Sequence, residues 1–578
     1  MFRRIVDGSV LGCVLAIAAS LDAHASAGHF EVTIATAPTH NMTLSNGVYS
    51  PSGDNAVLNV NDLTNALSAA NLEVTTGNGA AGKAYGDIVV ETALHWVSGN
   101  TLTLDAYRSI RVDQQVTDAG AGALALTTDD GGTNGHLEFA KGGSIGFWGI
   151  GNALTINRVS YTLVNNVASL ASAITAYPGG NYALAASYDA SVDGTYRQSA
   201  IPAVFDGKLE GLGNAISNVS VRIDQATETN HGFFNVIDVH ASVSNLRLLA
   251  IQVAETLHNP EFLNLGGLAG TSNGTLYGDE VSGTIIGAMA PFDEGGLIGS
   301  GSGSITRCSS TAILETRKFD GYEDGAVAIG GLAGEFGGTI ADSFSTSDVP
   351  VKGPTLVAGG LVGDSGGAIR HSHATGNLKG KFDMSGDVGG LVGASAGPIS
   401  DSYATGNIMG QAIKSGYVGG LVGEAFAPIS GSFATGGVDA IDGADEAAGG
   451  LVGIANAAVS DSYATGAAGG SAAGGLVGVP EFDYTPTISN SYSTGRPGGF
   501  VAGGFSGGDC NCFVDDYWDT TTSGTTDGVF GQNAPGVTGY TTQQLQAGLP
   551  PGFDPKIWAE DARINKGLPY LKANPPPD

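Results

Sequence analysis

The chain repeats itself on a fixed internal ruler. Gly-Gly-Leu-x-Gly or a close variant begins at Gly266, Gly295, Gly330, Gly359, Gly389, Gly419, Gly449, Gly474 and Gly503, at intervals of 25 to 35 residues. A second segment of the type Asp-Ser-Tyr-Ala-Thr-Gly starts twelve residues after the first glycine, at Asp342, His371, Asp401, Gly431, Asp461 and Asp515, while the copy at Gly474 carries four more residues before Asn490. Length varies almost wholly outside that twelve-residue arc. An arc that refuses insertion is packed against its neighbours, and one that accepts it faces solvent.

Two apolar registers run through the copies. One holds Leu268, Leu297, Leu332, Leu361, Leu391, Leu421, Leu451, Leu476 and Phe505, and the other Leu276, Ile305, Ile340, Ile369, Ile399, Ile429, Val459, Ile488 and Phe513. Segments this short, β-branched and punctuated by glycine do not make amphipathic helices, and each repeat buries its apolar residues only by stacking on the next. The expected fold is all-β: a right-handed parallel β-helix with coils of about 30 residues and a small C-terminal cap. The 93 glycines among 578 residues lack a Gly-X-Y period and serve as corners, and a hydrophobic content of 42% argues against disorder.

Apolar-x-apolar pairs at Leu102/Leu104, Ile110/Val112, Leu124/Leu126, Leu137/Phe139, Ile145/Phe147 and Leu154/Ile156 extend the solenoid reading upstream. The expected division is a signal peptide at 1–25, an irregular N-terminal solenoid at 26–163, a seam at 164–206, the repeats at 207–520, and a cap and tail at 521–578. Val167, Leu170, Ala171 and Ile174 have helical spacing and end at Pro178-Gly179-Gly180, which places a short helix in the seam. The cap is expected to cover the open end of the stack with Phe553, Ile557, Trp558, Leu568, Tyr570 and Leu571. Arg3 and Arg4, the apolar run from Val10 to Leu21 and Ala23-His24-Ala25 form the export signal. No later stretch has membrane-span length.

The formal charge of −31 opposes nucleic acid and anionic membranes as partners and permits cation binding; no cofactor is expected, with bound calcium as the alternative. Asp515, Asp516 and Asp519 are the calcium candidates, against their alternative as a solvated acidic corner. Cys308 occupies a position otherwise held by Ser343, Ser372, Ser402, Ser432 and Ser462 and reads as a small buried side chain. It is too many coils from Cys510 and Cys512 to bridge to them; those two either close on each other or stay reduced.

Gly359 to Gly363 with His371 to Gly376, and the cleaner copy from Gly389 to Gly406, resemble the GLUG repeat of bacterial surface and secreted proteins. The flanking segments resemble those of filamentous-haemagglutinin-like exoproteins. The resemblance covers residues 180 to 571 strongly and 30 to 160 loosely. It implies a secreted or cell-surface, outer-membrane-associated adhesin that binds host or environmental glycans or surface proteins, with an outer-membrane secretion partner among its expected contacts, and it brings no catalytic residues. GLUG repeats also accompany an immunoglobulin-cleaving metalloprotease, but the His-Glu-x-x-His that such chemistry needs does not occur in this sequence.

Catalysis is therefore not expected. The alternative is a polysaccharide lyase or glycoside hydrolase built on the β-helix, using carboxylates such as Asp342, Asp401 and Asp461; these share a register but stand two coils, about 10 Å, apart. Phe344, His373, Tyr403, Phe433, Tyr463, Tyr492 and Tyr517 form an aromatic register. Ile399 and Tyr403 are four residues apart, so an unbroken strand would turn the rings inward with the isoleucines. Ligand contacts are then expected in the variable arc, at Lys379, Lys381, Phe382, Asp383 and Tyr417, within loops 379–387, 411–417 and 438–447.

Overall fold

The computed structural model describes residues 29–577 except 78–81, 83, 225–228, 257–262, 288–291, 317–325, 354, 383–385, 412–415, 442–445, 482–483 and 485. The proposed signal peptide and Asp383 lie outside the described residues.

One repeat shows how the coil is made. Gly386–Gly389 runs into the Gly390-Leu391 corner, Val392–Ser395 follows, then Ile399–Ser400, Tyr403–Ala404 and Ile408–Gln411, before the next coil begins at Gly416–Gly419. Each strand pairs in parallel with its counterparts in the coils above and below, as Val362↔Val392↔Val422 and Ile369↔Ile399↔Ile429. The result is the expected parallel β-solenoid, of about 14 coils. Both predicted apolar registers are buried: every residue from Leu268 to Phe505 in the first has no accessible surface. Glycine is required at the corners because the coils touch there; a Cβ on Gly390 would lie 2.0 Å from the carbonyl oxygen of Gly420.

A second ladder runs through the serine register. The Ser402 hydroxyl donates to the Ser400 carbonyl at 2.7 Å and accepts the Ser372 N–H at 3.2 Å, and the pattern recurs from Ser343 to Ser491. Asp516 closes it by accepting the Ser491 N–H at 3.0 Å. Cys308 is fully buried at the other end of this row, its N–H bonded to Ser343, so its serine-like reading holds. Cys510 and Cys512 are joined as a disulfide.

The upstream apolar pairs are strands, stacked in parallel like the repeats, as Leu72↔Leu102 and Leu102↔Leu124. They form a separate core that also takes Leu63 and Leu67 of a helix, Val60–Ala69, which the period-two pattern did not reveal. The two solenoid units share one sheet. A hairpin, Ala153–Ile156 with Val159–Val164, turns through Asn157 and Arg158 at positive φ and reverses the strand direction; Val159–Val164 then pairs in parallel with Asn181–Leu184. Across this junction alternate side chains serve different cores: Leu163 and Ala183 belong to the N-terminal one, Val164, Tyr182 and Leu184 to the repeat core. The predicted helix is Val167–Ala176, capped by Asn166 with Ser169, and buries Val167, Leu170 and Ile174.

Two expectations change. The variable arc is not loop alone: Val349–Gly353, Leu378–Phe382, Ile408–Gln411 and Val438–Ile441 pair in a 6-stranded sheet. The C-terminal segment divides its work. Val529, Ala534 and Val537 complete the last coil of the core, while the rest turns back along the outside of the solenoid.

Candidate functional site: an outward aromatic column and its cleft

The aromatic register faces outward, opposite to the parity reading. Asp401 has φ +48°, as do its equivalents His371 (+47°), Asp461 (+46°), Asp342 (+52°) and Asp515 (+53°). This left-handed residue breaks the strand between Ile399 and Tyr403 and reverses the alternation, so that Ala374, Ala404, Ala434 and Ala464 enter the core and the rings beside them leave it. Asp, Asn and Gly suit that position best, and the register holds Asp342, Asp401, Gly431, Asp461, Asn490 and Asp515 there. The aspartates are corner residues.

The rings stack face to face. Centroids from Phe344 through His373, Tyr403, Phe433 and Tyr463 to Tyr492 are 5.1, 4.6, 4.9, 4.8 and 5.1 Å apart, with planes within 6° of parallel. Burial keeps His373 below the usual histidine range, so it is neutral in the stack at pH 7.

A strap formed by residues 541–574 covers the later part of this column. Phe553, Trp558, Leu568 and Leu571 pack on Phe433, Tyr463, Tyr492 and Tyr517. Polar contacts fix its position: Trp558 Nε1–H donates to Asp461 at 3.1 Å, Tyr492 and Tyr517 donate to the carbonyls of Pro569 and Pro551 at 2.7 and 2.8 Å, and Asn574 reaches the carbonyls of Ser402 and Gly431. Tyr403, at the strap's edge, and His373 and Phe344 beyond it are only partly buried.

Above Phe344 the same face opens into a cleft of about 430 Å³ between the repeats and the N-terminal unit. Glu138 and Lys141 line one wall; Arg247, Glu280, Ser309 and Phe344 line the other. Arg247 Nε bonds Glu280 at 2.8 Å, and Arg307 pairs with Glu138 while donating to the Tyr277 hydroxyl at 3.0 Å. His136 stacks on Tyr277 at 4.5 Å, and burial with the Arg307 charge lowers its pKa. At the base of the cleft Asn245 bonds the buried Glu210 at 2.9 Å and the Leu137 carbonyl at 3.2 Å, and burial pushes Glu210 up to about 8.

A different outer corner is acidic. Asp387 stands beside Glu424; burial and then the Glu424 charge push Asp387 up to about 7, and burial raises Glu424. Asp364 and Glu335 continue the row toward Asp293, which burial raises to about 8.

The residues singled out for ligand contact are scattered. Lys379 is exposed on the 6-stranded sheet and paired with Asp348 at 3.5 Å; Lys381 and Phe382 end the same strand. Tyr417 lies on another sheet, beside Asp387. The calcium candidates are not assembled: Asp516 accepts backbone N–H groups of Ser491 and Val514, and Asp519 accepts those of Thr521 and Thr522 and the Thr542 hydroxyl. Among the described residues no group of three or more His, Cys, Asp or Glu could hold a metal ion, and no helix is long and apolar enough to cross a membrane. The cleft was not anticipated, because Glu138 and Arg307 are 169 residues apart.

The class these features define is a parallel β-solenoid repeat protein with a strapped aromatic flank. No family model and no curated protein matches the chain. A solved structure titled IgA1 Protease is similar over 51% of this chain and 21% of that one, at 20% identity and a TM-score of 0.31. The chain thus spans about a fifth of that protein, and the likeness is too slight to carry an argument.

Proposed function

We propose that this is a secreted or cell-surface binding protein of adhesin type, without catalytic activity, that holds glycans on its outward aromatic face. The observation that supports the reading is the column itself: partly buried rings lead from the end of the strap into a polar cleft, and aromatic surface beside planar hydrogen-bonding groups suits the two sides of a sugar. Export through the segment 1–25, an outer-membrane secretion partner and GLUG-repeat kinship belong to the same proposal. The test is to screen the mature chain against glycans and matrix proteins, alongside a Phe344→Ala/His373→Ala/Tyr403→Ala variant. Glycan binding lost in the variant, with the melting transition retained, supports the proposal; undiminished binding moves the site elsewhere on the surface.

A second reading is favoured by Asp387, a carboxyl held protonated to about pH 7 beside Glu424, as a general acid in polysaccharide cleavage requires. Turnover of an acidic or neutral polysaccharide by the native chain, abolished in Asp387→Asn, would establish it in place of pure binding.

A further inference from the structure

The aromatic column ends at Phe344, and the three positions before it carry no ring. Followed by strand pairing it runs Arg247, Glu280, Ser309, Phe344, His373, Tyr403. From Phe344 on, each position to Tyr492 is filled by a ring 4.6 to 5.1 Å from the next. One coil above Phe344 stands Ser309, a single hydroxymethyl group, and one coil further stands Glu280. Two rungs, about 9.6 Å, separate Glu280 from Phe344, and a stacked ring uses half of that. The 430 Å³ cleft opens at this rung, with Phe344, Ser309, Glu280 and Arg247 all in its lining.

We propose that the cleft takes one pyranose ring of a neutral glycan, laid on the face of Phe344 over Ser309 as the next member of the stack. This rests on the glycan-binding reading and adds the ligand class and its seat. A pyranose has an apolar C–H face and a hydroxyl edge. Phe344 meets the first; the Arg247–Glu280 pair and Arg307 meet the second with planar, fixed donors and acceptors. A wholly apolar ring would desolvate the N–H groups and carboxylate lone pairs that these ion pairs leave over, without giving them partners. Neutrality follows from the charges: Arg247 is matched by Glu280 and Arg307 by Glu138, leaving Lys141 as the remaining cation of the lining, on a chain of net charge −31 that repels polyanionic glycans.

The experiment is calorimetric titration of the full chain with glucose-, galactose- and mannose-based trisaccharides, with proton NMR of the sugar. Ser309→Tyr supplies the missing ring from the protein and is expected to weaken Kd by about tenfold or more with the melting temperature kept or raised. Phe344→Leu keeps apolar bulk but removes the flat face; it is expected to weaken Kd similarly and to abolish the upfield shift of sugar C–H protons seen with the native chain. Native affinity and unaltered shifts in Phe344→Leu overturn the seat while leaving glycan binding intact, even if Ser309→Tyr does not fold. Binding of uronate or sulfated glycans alone overturns the neutral class. No glycan bound by the native chain overturns this proposal and the reading beneath it together.

Discussion

Single side chains in this molecule act on behalf of the coil next door. Ser432 satisfies a buried N–H in one coil and a part-buried carbonyl in its own. Ser432→Ala is expected to destabilise by about 1–3 kcal/mol, since it leaves the Ser402 N–H unpaired in the interior; a denaturant midpoint unchanged from the native chain would show the ladder to be ornamental. Buried acids behave with a definite sign. Glu210 and Asp293 near 8 and Asp387 near 7 all lie above their unfolded values of 4.5 and 3.8. The folded state therefore holds their protons more tightly than the unfolded chain does. Their contribution is complete below about pH 4 and is lost as pH rises through 7 to 8. Calorimetry should find the melting temperature at pH 5 higher than at pH 8.5 by about 3 °C or more, and Glu210→Gln should flatten that dependence.

At the level of elements, the strap packs on the solenoid from outside. Trp558 is fully buried against Tyr463 and Tyr492. Trp558→Ala is expected to cost about 3–5 kcal/mol locally, with trypsin cutting at Lys556, Arg563 or Lys566 while the β-sheet circular dichroism persists. How legible these elements were depended on their periodicity. The leucine and isoleucine registers repeat with a fixed offset from Gly-Gly and were readable from residues alone. The direction of the rings was not, because the alternation rule assumes a continuous strand and Asp401 interrupts it. Lys379 lay in a stretch of variable length, which hid the strand Leu378–Phe382. The cleft had one readable sign: two residues after the start of the second segment stands an aromatic ring in every copy from Gly330 on, but Ser309 in the copy at Gly295 and Glu280 in the copy at Gly266.

The whole molecule is an axial stack in which every coil is both template and load for its neighbours. Leu391 has no accessible surface, and Leu391→Asp would put an unpaired carboxylate among Leu361 and Leu421 as well as its own coil. A loss of several kcal/mol, or failure to accumulate as soluble protein, is expected; a thermal transition indistinguishable from the native chain's would sink the assignment of the leucine register to the core. The hairpin through Asn157 and Arg158 makes the assembly one body with two interiors, and the cleft exists because the N-terminal unit leans over the outer face of the repeats through Arg307–Glu138 and Asn245–Leu137.

A column of coils also has ends, and an end coil is held from one side only. Fraying should start there and travel inward, one coil at a time. The strap alters that sequence. Leaving the final coil, it runs back to Asn574, which is bonded to Ser402 and Gly431, and so ties together every coil from Tyr403 to Tyr517. None of them can peel away singly. Deuterium should enter their amides in a single concerted opening, whereas the coils from Ile305 to Ile369, outside the strap's reach, are free to open in smaller steps.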